Sequence, residues 1–376
     1  MHVYLDHAAT TAPYPDVFEA MRPYLSEFYG NPSSIHNTGR KTRVAIEQAR
    51  KTIAKLIGAN ASEIIFTSGG TAANNIFLQG IAPSISHIIS SPIEHPAVLH
   101  TLTYLDKIQS INLSFLTLEK DGQVSLGNLE EAILKYPGAL VVLMHGNNEV
   151  GNLLLLEKVS TLCKRHNCNF FTDAVQTIGH YPINLSSLHI TGFAASAHKF
   201  HGPKGAGFLY LKQGTKLSGI YHGGAQERGL SVGTENVAGI VGMARALEIA
   251  HLSYVEDKQH IEMLKKTMID LLTRSIPGVK FNGSSANITN SINTVLSVSL
   301  PTHEQNEMLL FNLDLANISV SAGSACASGA ATESHVLKAL KHDSKRGTIR
   351  FSFSYLNTVE ELRRVVKKLR EIYKLD

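Results

Sequence analysis

Four short segments carry residue types that can do chemistry together. The first, Ser68-Gly69-Gly70-Thr71-Ala72-Ala73-Asn74-Asn75, follows the apolar run Ile64-Ile65-Phe66. Glycines at a strand-to-helix junction let backbone N–H groups approach an anion, and the helix N-terminus adds favourable partial charge. The Thr71 hydroxyl can add a hydrogen bond, but no Gly-Lys-Ser/Thr follows, so this is not a nucleotide P-loop. Taken alone, it also reads as a plain turn before a helix. The second is Asp173, closing Asn169-Phe170-Phe171-Thr172. A carboxylate at the C-terminal end of an apolar strand sits where open α/β sheets bind ligands. Buried there it needs a cation; a protonated pyridine nitrogen would serve, with Gln176 within reach of the same ring. The alternative is an Asp capping the next helix. The third is Ala195-Ser196-Ala197-His198-Lys199-Phe200-His201-Gly202-Pro203-Lys204-Gly205. A lysine desolvated among small residues can form a Schiff base, while Ser196 and His198 can donate to a phosphate. Lys204, between proline and glycine, is the rival amine and reads as a loop residue. His198 and His201 have no third ligand nearby, so no metal is expected. The fourth is Cys326, set among Ser, Gly and Ala, where the backbone is free to bring a thiol to an acid/base partner.

The elements that must position these residues are legible from periodicity. Short apolar runs at Glu63–Thr67, His87–Ser91, Leu140–His145, Asn169–Asp173, Gly192–Ala197 and Gly207–Leu211 read as strands covered on both faces. Helical patterns at Thr42–Ile57, with Gly58 as a stop, and at Leu156–His166 alternate with them. This predicts an α/β domain with a mainly parallel sheet and room for an antiparallel member. Beyond residue 250 the pattern changes. Glu235–Ala250 and Val255–Ser275 read as consecutive helices, Ser291–Val298 and Thr348–Ser352 as strands. A last helix starts at Thr358 with Glu361 three residues on. The expected division is a large domain, 13–251, and a smaller α+β domain formed by 1–12 with 252–376.

Composition excludes several classes. Of 376 residues, 18% are charged and the net charge is +4, without the Lys/Arg clusters of nucleic-acid binders. No apolar stretch reaches membrane-spanning length, and the N-terminus does not read as a signal peptide. Three cysteines do not make a disulfide framework. Cys163 falls in a helical pattern beside Val159 and Leu162 as a packing thiol, and Cys168 has no metal-ligand spacing with it. The expectation is a cytoplasmic protein with reduced thiols.

The order anion loop, Asp, Lys at the strand ends of one sheet resembles the fold-type-I pyridoxal-phosphate enzymes. Further segments, Tyr4-Leu5-Asp6-His7-Ala8-Ala9-Thr10-Thr11, Glu94-His95, Asn147-Asn148-Glu149-Val150-Gly151, Gln226-Glu227-Arg228-Gly229 and Gly233-Thr234-Glu235-Asn236, are similar to the cysteine desulfurases among the class V aminotransferases. Ser321-Ala322-Gly323-Ser324-Ala325-Cys326-Ala327-Ser328-Gly329 resembles that family's persulfide-carrying loop, in the group where this loop is long. The resemblance implies that Lys199 holds the cofactor as an imine and shuttles the substrate α-proton. It also implies that Asp173 pairs with the pyridine nitrogen, Gln176 bonds the ring oxygen, and His95 stacks on the ring as an acid/base group. Gly70, Thr71, Ser196 and His198 would cradle the phosphate, with Thr234 reaching across from the second subunit of a homodimer. Asn148 and Arg350 would hold the substrate carboxylate, for which an Arg fork is suited. The implied reaction takes L-cysteine to L-alanine and passes sulfur from Cys326 to a scaffold or carrier protein, as in iron–sulfur cluster assembly. Selenocysteine lysis or transamination is the alternative on the same cofactor. The chain departs from the family at Leu230-Ser231-Val232, where an arginine is usual, and at Phe353-Ser354-Tyr355.

Overall fold

A computed structural model of the chain describes residues 2–322 and 334–375. Among them the largest sheet has seven strands, ordered Ile64–Thr67, Gly207–Leu211, Gly192–Ser196, Asn169–Asp173, Leu140–Val142, His87–Ser90 and Asn112–Phe115. Pairing is parallel from Gly192–Ser196 outward. Gly207–Leu211 is the antiparallel member, paired that way on both sides.

Two buried clusters explain why the strand sequences do not alternate. Phe66, Val141, Phe170, Phe193 and Phe208 point into one, and their chain neighbours Ile65, Val142, Phe171, Ala194 and Leu209 into the other. Both faces are apolar because helices cover both. Gly70–Ile81 and Pro96–Lys107 cover one face through Phe77 and Leu102. Asn37–Ile57 and Leu156–Arg165 cover the other through Ile53 and Val159. The edge strand Asn112–Phe115 escapes sequence reading, being half exposed and partly polar.

A second, antiparallel sheet places Val295–Leu300 between Gly347–Ser352 and Lys280–Phe281. Its core draws on Leu264, Met268 and Leu272, on Leu362, Val365 and Leu369, and on Val3 and Leu5 from the N-terminus. The strand expected from Ser291 begins at Val295. Residues 291 and 292 serve instead as acceptors for the buried Lys265, whose Nζ donates to Ser291 Oγ and Ile292 O, both at 2.7 Å.

One helix, Val237–Ser275, replaces the two expected between 235 and 275. No Gly or Pro interrupts 250–256. The apparent gap arises because the apolar stripe changes partners. Met243 and Leu247 pack in the large-sheet core and Leu264 and Met268 in the second core, while Leu252 and Val255 between them are exposed. The Gly58 stop is realised, with φ +68°. So is the Thr358–Glu361 capping box before Val359–Ile372. No helix of the described residues is long and apolar enough to cross a membrane.

Candidate active site

The C-terminal ends of five strands converge on a cavity of about 200 Å³, as expected at the carboxyl edge of an open α/β sheet. Strand Ile64–Thr67 delivers Gly70 and Thr71, His87–Ser90 delivers His95, Leu140–Val142 delivers Met144 and Asn148, Asn169–Asp173 delivers Asp173 and Gln176, and Gly192–Ser196 delivers Ser196, His198 and Lys199. Arg350, from the second sheet, closes the wall with Ala8 and Ala9. All ten residues expected there from sequence, apart from Thr234 and Cys326, therefore line one space.

Lys199 ends the short turn Ala197–Lys199 that terminates its strand. Its Nζ donates to Ala8 O at 2.5 Å and Ala9 O at 2.8 Å. The turn is held by Thr11 N donating to His198 O and by His180 Nε2 donating to Lys199 O, both at 2.9 Å. Lys204 is exposed and does not line the cavity. Asp173 is 5% exposed. Its Oδ2 accepts from Asn74 Nδ2 at 2.7 Å and its Oδ1 from Val175 N at 2.9 Å. It forms no salt bridge among the described residues, although a buried carboxylate calls for a cation. A cofactor carrying a protonated ring nitrogen fits that vacancy in the charge balance. The anion end fits as well. Gly69 has φ +151°, and a Cβ on Gly70 would meet Val175 Cγ2 at 2.5 Å, so the chain enters helix Gly70–Ile81 where only small residues pass. First-turn N–H groups there lack helical acceptors.

His95 caps helix Pro96–Lys107, its Nδ1 accepting from Ala97 N at 3.1 Å. Burial is the main cause lowering its pKa; Asp173 opposes this and Lys199 adds to it. His198 is pushed down to about 4 by burial, then by Lys199 and Lys204; it is a neutral imidazole with Thr10 Oγ1 3.2 Å from Nδ1. Gln176 Nε2 donates to Ala8 O at 3.0 Å. Arg350 is 1% exposed. It is tied through Nη2 to Asp6 Oδ1 at 2.8 Å and through Nη1 to Asn148 O at 2.9 Å, and its Nε has no partner among the described residues.

Thr234 lies away from this cavity, exposed in a separate cleft with Ser68, Gly205 and Glu227. Cys326 lies outside the described residues. The described residues on either side of it are fastened to the cavity wall. Ser321 pairs its backbone with that of Arg350, the Ser334 hydroxyl donates to Glu149, and His335 Nε2 donates to Glu94 O at 2.9 Å. Cys163 and Cys168 are buried. Burial pushes the Cys163 thiol up to about 12 and raises that of Cys168. No cluster able to hold a metal occurs among the described residues.

Sequence reasoning assigned no role to Asp6, Asn74 or Glu94. Asp6 is the partner that permits a buried Arg350. Asn74 orients Asp173 from a fully buried position in helix Gly70–Ile81, where its neighbour Asn75 and Gln79 are equally polar in sequence, so nothing local singled it out. Glu94 has one oxygen accepting from Met144 N at 2.9 Å and the other unpartnered. Burial raises its pKa well above the usual carboxylate range; the Met144 N–H opposes this and Asp173 adds to it. Only the tertiary structure reveals that neutral acid.

Residues 3–365 match the aminotransferase class-V family. A cysteine desulfurase IscS of Dictyoglomus turgidum is 42% identical, covering 98% of this chain and 96% of its own. Among solved structures, a NifS-like protein superposes with TM-score 0.91 at 37% identity over the whole of both chains. A structure of SspA in complex with cysteine superposes with TM-score 0.80 at 31% identity, over 93% of this chain and 98% of that one. The chain belongs to the aminotransferase class-V family and, within it, to the cysteine desulfurases.

Proposed function

We propose that the protein binds pyridoxal phosphate, converts L-cysteine to L-alanine, leaves the sulfur as a persulfide on Cys326 and hands it to an acceptor protein. The observation that carries the cofactor assignment is the buried Asp173, without a basic partner among the described residues, in one cavity with Lys199 and the Gly70–Thr71 turn. When bound, the cofactor supplies an electron sink for the carbanion left by loss of the substrate α-proton.

The chain's own residues then divide the work. Gly70, Thr71, Ser196 and His198 hold the phosphate; His198, neutral, acts as a hydrogen-bond donor rather than a cation. Asp173, steadied by Asn74, faces the ring nitrogen, and Gln176 faces the ring oxygen. Arg350 and Asn148 hold the substrate carboxylate, Arg350 through N–H groups not spent on Asp6 and the Asn148 carbonyl. Lys199 holds the cofactor and takes the α-proton at Nζ. The Cys326 thiolate forms an S–S bond with the substrate sulfur as the substrate C–S bond breaks. The proton given up by the thiol balances the one gained by the alanine methyl. His95, neutral, exchanges protons at Nε2 beside this step.

The same reading takes the protein as a cytoplasmic homodimer in which Thr234 serves the second subunit's phosphate. Its distance from its own cavity and the exposed Phe18, Tyr29 and Ile35 support this. Residues 13–251 then form the large domain and 1–12 with 252–376 the small one, supported by the separate cores on either side of helix Val237–Ser275. The deciding experiment incubates the pure protein with L-cysteine and follows alanine and the mass of the Cys326 peptide. Alanine in step with a gain of one sulfur atom is expected, and Cys326→Ala should abolish both. Alanine and sulfide formation at wild-type rate in Cys326→Ala would show that another nucleophile or another reaction operates.

A further inference from the structure

Helix Asn37–Ile57 sends Arg50 across the open edge of the large sheet, where strand Ile64–Thr67 is the end member. The Arg50 guanidinium lies 4.5 Å from the centre of the Phe66 ring, and its Nη1 donates to Ile64 O at 2.9 Å. It also grips Glu227 with both nitrogens, Nη2 to Oε1 at 2.7 Å and Nη1 to Oε2 at 2.8 Å. Glu227 Oε2 accepts in addition from Phe66 N at 2.8 Å. The pair thus satisfies two edge backbone groups that would otherwise be left open. The Glu227 side chain is 4% exposed and that of Arg50 13%. Such a forked, desolvated pair fixes geometry as well as charge.

Glu227 opens a loop that the pair holds in an otherwise disfavoured shape. Glu227 and Arg228 both lie in the left-handed region, with φ +47° and +60°, and Gly229 follows at +75°. L-residues with side chains resist that conformation, so a partner must hold it. Downstream, Gln226 Oε1 accepts from Gly233 N at 3.3 Å, and Asn236 caps helix Val237–Ser275 by accepting from Gly239 N at 3.0 Å. Thr234 sits between these anchors. The strand carrying the clamp runs, within three residues of Phe66, into Gly69-Gly70-Thr71. The clamp therefore ties both anion-facing segments of the chain to one rigid edge.

We propose that Arg50 and Glu227 are positioning residues for the cofactor phosphate: their ion pair fixes the loop that carries Thr234 to the phosphate of the second subunit. This rests on the assignment of Thr234 to a phosphate given above. Neither residue lines the cavity that holds Lys199 and Asp173, so the pair acts through the loop. A purely structural role would weaken all ligands alike, whereas this role acts only on a ligand bearing a phosphate.

The test uses Glu227→Gln, which keeps the side-chain shape, and Arg50→Lys, which keeps the charge but not the fork. The purified protein is stripped of its bound cofactor and titrated by absorbance with pyridoxal phosphate and, separately, with pyridoxal. Both variants are expected to bind pyridoxal phosphate about tenfold more weakly, the cost of one misplaced hydrogen bond to an ionised group, and pyridoxal as the wild type does. In a Thr234→Ala background, Glu227→Gln is expected to add nothing. Equal losses for both ligands, no loss for either, or full additivity with Thr234→Ala overturns the proposal. If Thr234→Ala alone leaves pyridoxal phosphate binding unchanged, the assignment of Thr234 fails first, and the clamp's route with it.

Discussion

By accepting the Ala97 N–H at Nδ1, His95 keeps its own proton on Nε2, and burial favours that neutral form. A histidine arranged so can give a proton at Nε2 and recover it without leaving its helix. Its lowered pKa means that it stays neutral to a pH below the ordinary 6.5 of imidazole. Replacing His95 with Ala should slow alanine formation from L-cysteine about 10²–10⁴-fold, with the bound cofactor's absorbance retained. A variant within twofold of wild type would remove His95 from the proton transfers. The carboxyl of the neighbouring Glu94, close enough to feel the charge of Asp173, is held well above the usual carboxylate range chiefly by burial. Arg350 shows the converse case: a cation 1% exposed, tolerated because Asp6 and a backbone carbonyl receive it.

At the scale of elements, strand ends and helix starts do the positioning, and their signals were mostly local. The Gly58 stop illustrates how tightly one position can be bound. Its φ of +68° suits glycine, and a Cβ there would run into the Asn184 side-chain oxygen as well. Gly58→Ala should therefore lower unfolding stability by at least about 1–2 kcal/mol in urea titrations, while alanine formation by the folded fraction is unchanged. Equal stability would mean that the helix end re-forms without the left-handed residue. Helix Val237–Ser275 gives the opposite lesson. Its propensity was continuous, but the apolar stripe was not, because one half packs in the large-sheet core and the other in the second. Periodicity reports burial, and burial here changes partner in mid-helix.

For the molecule as a whole, histidines at the seam between the two parts set an acid limit. His7, His145 and His201 are each at most 6% exposed, with pKa values pushed down, chiefly by burial, to about 3, about 4 and about 4. The unfolded chain protonates them near 6.5, so below that pH it binds more protons than the folded chain. Their contribution to stability is complete above pH 6.5 and is lost as pH falls toward 4, at about 1.4 kcal/mol per pH unit for each group. Urea midpoints measured on the holoenzyme between pH 7.5 and 5 should fall steeply below 6.5; a flat profile would contradict the buried, neutral state of these rings. The sequence by itself determined the parallel sheet, the capped helices and the order of Gly70, Asp173 and Lys199, because turn chemistry and apolar runs are local properties. Only the tertiary structure decided that Asn74 supports Asp173, that Asp6 makes Arg350 tolerable, that Glu94 stays uncharged, and that Thr234 stands outside its own cavity. Those outcomes depend on which side chains meet across tens or hundreds of residues, and the burial that shifts a pKa or forces an ion pair exists only once the two sheets have closed on the site.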